Sequence, residues 1–541
     1  MNNSVFKFAA PANEPIKAYL KGSAEEVALT KELQKQSDNV IEIPLIIGGK
    51  DIKTGNIKEF TMPCDHKHVL ARYHTPTEKE VQMAIDAACE ARTKWEKVPW
   101  QDRAAVAMKV AQLISEKYRY VMNASTMLGQ GKNIYQAEIE SACETIDFLR
   151  FNAYFMGQIY SDQPKSDAAQ MNRMEYRPLE GFIFAVSPFN FTAIASNLSM
   201  APALMGNATV WKPATSAILS NYYLMKIYEE AGLPPGVINF LPGSGSVISG
   251  AVFKDPRLAG VHFTGSNGTF NRLWKDVANN LETYNTYPRI VGETGGKDFI
   301  VVHNSADTQQ AAVGIARAAF EYQGQKCSAC SRLYVPSSKW PDLKNRLLNI
   351  VSDIKMGDVK DYENFMNAVI DEKAFDSIMG YINKVKEEKC STFLAGGKGD
   401  KSKGYYIEPT VIETTDPKSL TMQEEIFGPV LTVYVYEDEK FEETLQLCNE
   451  TSPYALTGGI FSRDRYAINK ALDTLRYAAG NFYINDKCSG AVVGMQPFGG
   501  ARGSGTNDKA GCALNLMRWV SPRNVKETYN APLEYKYPYM S

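Results

Sequence analysis

Apolar positions recur at helical spacing early in the chain and in short strand-length runs later, and the change between the two divides the sequence. The first sixty residues are polar and irregular and are expected to wrap over the body of the protein. Order begins at Thr75-Pro76-Thr77-Glu78, where a hydroxyl N-cap, a Pro in the first turn and a Glu three residues on predict a helix start. Val81, Ile85 and Ala88 form its apolar side; a second helix is expected from about Asp102, with Val106, Val110, Leu113 and Ile114 at the same period. From residue 181 short apolar runs alternate with helical patterns: 181–186, 208–211, 237–241 and 260–263 read as strands, and 216–231 as a helix closed by Gly232 and Pro234-Pro235. A second series runs from near Arg289 to about residue 520, with strands at 299–302, 332–335 and 430–436. This alternation predicts an α/β protein of parallel sheets covered by helices on both faces. Ligands then belong at the carboxyl ends of the strands, where Ser187-Pro188-Phe189-Asn190-Phe191 and Thr264-Gly265-Ser266-Asn267-Gly268-Thr269 fall. The Pro- and Tyr-bearing tail after residue 520 is too short for a domain and is expected to lie as an arm against a neighbour.

Composition narrows the function classes. The chain has 541 residues, enough for two to four domains, with 44% hydrophobic and 22% charged residues. Lys plus Arg is 59 and Asp plus Glu 61, a balance that gives no electrostatic reason for nucleic acid or an anionic membrane as partner. No stretch approaches the roughly 18 apolar residues of a spanning helix. The opening residues lack a secretory or transit pattern, and the nine cysteines are an odd number of scattered thiols. The expectation is a cytoplasmic protein, or one of the mitochondrial matrix if it is eukaryotic and processed.

Several motifs fail. Each Gly-Lys pair lacks the following Ser or Thr of a phosphate loop, and Gly243-Ser244-Gly245-Ser246-Val247-Ile248 has Ile where a dinucleotide fingerprint needs its third Gly. Cys327-Ser328-Ala329-Cys330 has no second ligand pair for zinc, and Cys64, His66 and His68 sit in a polar turn, so no metal is expected. None of the five His residues marks a pairing motif for a nucleophile.

Three segments each offer one reactive group among permissive residues. Gly324-Gln325-Lys326-Cys327 places a thiol beside a Lys, which would serve as a nucleophile near neutral pH if its pKa fell below ~8.5. Gly292-Glu293-Thr294-Gly295-Gly296-Lys297 places a carboxylate between glycines, where partial desolvation would make it a general base. Pro188-Phe189-Asn190-Phe191 sets an amide donor at a strand end, suited to a developing oxyanion. Taken singly, a buried small thiol, a turn Glu and a capping Asn describe them as well.

Together the three resemble the aldehyde dehydrogenase superfamily, in its order and spacing. Trp211-Lys212-Pro213, Phe263-Thr264-Gly265-Ser266 and Glu424-Glu425-Ile426-Phe427-Gly428-Pro429 extend the likeness, which covers about residues 60–525. Gln325-Lys326-Cys327-Ser328-Ala329-Cys330-Ser331-Arg332, Asn481-Phe482-Tyr483-Ile484-Asn485-Asp486-Lys487, Gln496-Pro497-Phe498-Gly499-Gly500-Ala501-Arg502 and Gly505-Thr506-Asn507-Asp508-Lys509 are similar to the branch that oxidises glutamate γ-semialdehyde. Dehydrogenases for another semialdehyde and a catalytically silent binding protein on this fold are the alternatives.

The resemblance implies two doubly wound α/β domains and a small β flap. Residues 1–60 would wrap; 61–154 and 179–288 would bind NAD; 289–520 would carry the nucleophile; 155–178, as a hairpin, would join 521–541 in a flap that pairs with a second subunit, so that a homodimer or higher homo-oligomer is expected. Cys327 would attack the aldehyde, Asn190 and the Cys327 backbone N–H would hold the oxyanion, and Glu293 would activate water. Ser187, Lys212, Gly265, Ser266, Asn267, Gly268, Thr269, Glu425 and Phe427 would hold the dinucleotide. Thr215 stands where many NAD-preferring relatives carry Glu, and a neutral residue does not repel a 2′-phosphate, so NADP stays open beside NAD. Phe191 and Phe498 would sandwich the small-molecule substrate, with its carboxylate on Ser328 and the backbone of Gly490-Ala491. Cys330 would be structural.

Overall fold

The apolar runs after residue 181 do pair as parallel strands, and the computed structural model, which describes residues 6–540, assembles them into two seven-stranded sheets. The first has the order Arg289–Glu293, Leu258–Thr264, Phe182–Val186, Thr209–Lys212, Ile238–Phe240, Leu45–Ile47, Lys50–Ile52. Its first five strands are mutually parallel and the last two antiparallel. The second has the order Ser391–Ala395, Thr410–Thr414, Val430–Tyr436, Cys330–Pro336, Asp298–Val302, Thr457–Phe461, Asn481–Ile484, with only the Ser391–Ala395 edge antiparallel. Continuous apolar strands such as Phe182–Val186 and Asp298–Val302 are buried because helices cover both faces, as parallel sheets require.

Four expectations about element bounds change. Residues 1–60 do more than wrap: Ala24–Asp38 is a helix capped by the Ser23 hydroxyl, which accepts from Glu26 N at 3.2 Å, and Leu45–Ile47 and Lys50–Ile52 complete the first sheet. The segment before that helix is held by buried charge, which carries no hydrophobic period. Arg119 donates to Glu14 at 2.6 Å and to Glu138 at 3.1 Å, and the Tyr19 hydroxyl donates to Glu138 at 2.6 Å. The border expected at residue 289 lies later, because Arg289–Glu293 pairs with Leu258–Thr264 in the first sheet. Nor do residues 155–178 form a hairpin: the helix Thr145–Ser161 continues into them, and the strand Gln170–Pro178 pairs antiparallel with Val520–Thr528. The helix expected from Thr75 also starts later, at Glu78, where Thr77 N donates to the Glu80 carboxylate at 2.9 Å.

The flap made by those two strands is two-stranded and largely exposed, and beyond it Leu533, Tyr535, Tyr537 and Tyr539 stand in solvent. Among the described residues no helix is long and apolar enough to cross a membrane.

Candidate active site

The loop that delivers Cys327 is wound left-handed. Tyr322, Gln323 and Gly324 have φ of 54°, 56° and 66°, a conformation that disfavours side chains and so must be over-determined by its surroundings. The Tyr322 hydroxyl donates to Gln130 O at 2.9 Å, and the Gln323 amide donates to Gly131 O and Ala368 O at 2.8 and 2.9 Å. At Gly324 a Cβ would stand 2.3 Å from Gly428 O, so the turn also requires a residue without a side chain. Gln325 Oε1 accepts from Ile370 N at 2.9 Å, and the Gln325 carbonyl receives the Asn190 amide at 3.1 Å. Asn190 is therefore not a helix cap; the cap of Thr192–Leu204 is Phe191. Its amide, buried and tethered by one N–H, keeps a second N–H for another acceptor.

The thiol is not activated by the neighbouring Lys. Lys326 is buried and its ammonium lies 2.9 Å from Glu321, whose carboxylate also receives Lys487 at 3.0 Å. Burial, then Asp298, Glu293 and Glu425, push the Cys327 thiol well above its ordinary range. The condition for a thiolate near neutral pH, a lowered thiol, is therefore not met in the unliganded site, where burial and three carboxyl charges all oppose it. Burial also pushes Glu293 well up, against an N–H from Gly500 at 3.2 Å and the charge of Lys509. Burial thus disfavours the charged form of both groups, and the charge of each would oppose ionisation of the other.

Cys327 and Glu293 open onto a cavity of about 280 Å³, whose walls include Phe191, Ser328, Gly490, Ala491 and Phe498. The five residues assigned to substrate by resemblance thus share one space with the thiol and the carboxyl. The cofactor set lies apart from that cavity, at strand ends of the first sheet. Ser187 follows Phe182–Val186 and accepts from Trp211 Nε1 at 3.0 Å; Lys212 ends the next strand, and burial lowers its ammonium to about 8. Gly265 follows Leu258–Thr264, and Ser266 caps the helix Asn267–Asn279 by accepting from Thr269 N at 3.3 Å. The N–H groups of Asn267 and Gly268 remain in the unsatisfied first turn, an anion site. Gly268 faces open space, as a docking surface for a ligand needs. Glu425 and Phe427 reach in from the other sheet. Glu425 accepts from Gly296 N at 2.9 Å and is pushed up to about 7 by burial, while Phe427, at φ 57°, meets Phe189 edge to face. Gly295 is small for Glu425's sake: a Cβ there would fall 2.0 Å from a carboxylate oxygen.

Residues 53–525 match the model of the aldehyde dehydrogenase family. The chain belongs to the aldehyde dehydrogenase family. Among curated relatives of this aldehyde dehydrogenase is the mitochondrial delta-1-pyrroline-5-carboxylate dehydrogenase of Dictyostelium discoideum, 52% identical over 98% of this chain and 96% of the relative. The delta-1-pyrroline-5-carboxylate dehydrogenase of Agaricus bisporus is 50% identical over 99% of this chain and 98% of its own. A crystal structure of the delta-pyrroline-5-carboxylate dehydrogenase of Mycobacterium tuberculosis bound with NAD superposes with a TM-score of 0.97 at 46% identity, covering 100% of both chains.

The cavity of this aldehyde dehydrogenase also has walls that motif reasoning missed. Glu144, raised to about 8 by burial and the Glu140 charge, and Asp147, raised to about 6 by burial, line it together with Lys487, Asn13 and Glu14. Asn13 donates to Asp147 and to Val493 O, both at 2.8 Å, tying the N-terminal segment to the loop that carries Gly490 and Ala491. Of these only Lys487 stands in a quoted motif, without a role assigned to it; the density of carboxyls at Glu138, Glu140, Glu144 and Asp147 on one helical stretch was the signal for Glu144 and Asp147.

Proposed function

We propose that the enzyme oxidises L-glutamate γ-semialdehyde, the open form of 1-pyrroline-5-carboxylate, to L-glutamate with NAD, the second step of proline degradation. The observation that carries the reading is the single cavity in which Cys327, Glu293, the Phe191–Phe498 pair and the Ser328 and Gly490–Ala491 positions meet. The names of the relatives and their near-complete coverage of the chain support it.

The cofactor residues fit a dinucleotide: an open helix N-terminus suits the pyrophosphate, and Lys212 and Glu425, both shifted toward neutrality by burial, suit ribose hydroxyls. Bound NAD supplies the hydride acceptor. Cys327, giving its proton to Glu293 or to solvent, attacks the aldehyde carbon; a C–S bond forms and the carbonyl electrons move to oxygen. Asn190 and the Cys327 N–H hold that oxyanion. Loss of hydride leaves a thioester on Cys327. Glu293, ionised again, takes a proton from water as the oxygen adds to the thioester carbon, and the C–S bond breaks to free the carboxylate. Ser328 and the backbone at Gly490–Ala491 receive the substrate's own carboxylate, with the Lys487 ammonium beside them. Glu144 and Asp147 suit its α-ammonium.

The two-stranded flap and the apolar tail suit pairing with a second copy of the chain, since an isolated pair of strands is marginal in water. The nine free thiols suit a reducing compartment, the cytosol or the mitochondrial matrix. The test is absorbance of reduced nicotinamide with pyrroline-5-carboxylate and NAD, beside Cys327→Ala. Turnover by the wild type and a loss of about four orders of magnitude in the variant are expected. Silence with this substrate and activity on succinate semialdehyde or a simple aldehyde would overturn the substrate.

A further inference from the structure

Lys509 is a half-buried cation that no carboxylate neutralises within ion-pair distance among the described residues, and it points at backbone instead. Its Nζ donates to Gly480 O at 2.8 Å, to Gly499 O at 3.0 Å and to Asn481 Oδ1 at 3.3 Å, using all three of its protons. Gly499 O belongs to the same peptide unit as Gly500 N, and Gly500 N–H is the hydrogen bond that holds Glu293 Oε2 at 3.2 Å. The loop is closed around this unit: Phe498 and Ala510 exchange backbone hydrogen bonds at 3.0 and 2.8 Å, Asn481 Oδ1 accepts from Gly499 N at 3.3 Å, and Glu293 bridges Gly505. A Cβ at Gly499 would stand 2.9 Å from Glu293 Oε1 and 3.3 Å from Lys509 N, so the carboxylate and the segment that carries the cation both close on this peptide.

We propose that Lys509 is a positioning residue for Glu293: its ammonium fixes and polarises the Gly499–Gly500 peptide, and through that peptide and its own charge it favours the ionised carboxylate and holds it aimed at the thioester. A cation on the carbonyl oxygen draws electron density from the peptide nitrogen and makes its N–H a stronger donor. The inference rests on the assignment of Glu293 as the general base. The groups that face Glu293 are few. Lys509 favours its charge; Asp508 opposes it, with part of its own charge taken by Arg518 at 3.3 Å; and the Cys327 thiolate opposes it. Burial is the largest opposing effect, and the Gly500 N–H and the Lys509 charge are the two that favour the ionised form.

The sign follows. A base works when ionised, so removing the cation raises the pH at which thioester hydrolysis reaches half its maximum. Single turnovers with enzyme in excess over pyrroline-5-carboxylate, followed by reduced-nicotinamide absorbance for thioester formation and by chemical quench for glutamate release, separate the two halves of the reaction. In Lys509→Met the half-point of glutamate release moves up by about one pH unit and release below it slows about tenfold, with thioester formation held within about threefold. Lys509→Gln, a donor without charge, keeps most of the shift, and Lys509→Arg restores the wild-type profile. If Lys509→Met does not fold, as a thermal melt would show, the Gln and Arg variants decide between themselves by the same profile. An unmoved half-point in the Met and Gln variants, or an equal shift in Arg, overturns the inference. Glu293→Gln is the control: thioester formed without glutamate release leaves the base assignment standing, whereas release at the wild-type rate overturns the base assignment and this inference together.

Discussion

The two seven-stranded sheets use opposite ends of their strands. In the first, Ser187, Lys212, Gly265 and Glu293 all stand at carboxyl ends, each where a strand stops and, after Leu258–Thr264, where a helix N-terminus opens. In the second, the reactive groups come before the strands: Gly295-Gly296 precede Asp298–Val302, and Cys327 precedes Cys330–Pro336. The carboxyl ends of one sheet therefore meet the amino ends of the other, and the active site is the seam. The rule that ligands of parallel sheets sit at carboxyl ends holds for the first sheet only. A dinucleotide needs oriented N–H groups and a helix dipole, which a strand–turn–helix corner supplies locally. A nucleophile needs a rigid, crowded approach, supplied here by a left-handed turn braced by Tyr322, Gln323 and Gly324 against distant backbone.

Asn190 crosses the seam, rooted in the first sheet and hydrogen-bonded to the nucleophile's loop. Asn190→Ala removes the proposed oxyanion donor and that tether together and is expected to lower kcat on the order of a hundred- to thousandfold, roughly 3–4 kcal/mol. Steady-state kinetics at saturating NAD check it, and a loss under tenfold would break the view that the seam is read from both sides.

Glu321 belongs to the nucleophile side alone. Burial by itself would raise its pKa, but Lys326 and Lys487 bring it down to about 2. A folded pKa below the unfolded one means stability that is present above the unfolded value near 4.5 and lost as the pH falls toward about 2. Glu321→Gln should therefore destabilise the protein by about 3 kcal/mol at pH 7, and the gap to wild type in urea denaturation should shrink as the pH approaches about 3. A gap independent of pH would place the effect in packing instead of charge.

Ser266 belongs to the cofactor side alone. Ser266→Ala removes the cap of Asn267–Asn279 and should cost about 1 kcal/mol, read as a few-fold higher KM for NAD or a small fall in Tm, with the rate of thioester formation at saturating NAD unchanged. A change confined to that rate would mean that the two sides are not as separable as the strand ends suggest.

Legibility in the sequence follows the same division. The strands at 182–186, 209–212 and 258–264 and the turn at Gly265 were visible because period, punctuation and cap lie within a few residues of one another. The thiol, the carboxyl and the amide were visible as motifs, but their electrostatics were not: Lys326 stands beside Cys327 in the sequence, yet its charge is paired with Glu321 and burial pushes the thiol up. The edge strands from residues 45–52 were hidden by their shortness. The N-terminal wall of the cavity was hidden because buried ion pairs around Arg119, not an apolar stripe, hold it in place.

By itself the sequence determined the α/β alternation, the family and the candidates for the reactive groups, since each is written in residues that are neighbours along the chain. Only the tertiary structure decided that the two sheets meet end to end, that Glu293 belongs to the first of them, and that Asn13 closes the cavity against Val493 from 480 residues away. It alone decided which charges are free and which are paired. The reason is physical: secondary structure answers to local periodicity, whereas burial and ionisation answer to the sum of everything packed nearby, and most of that is remote in sequence.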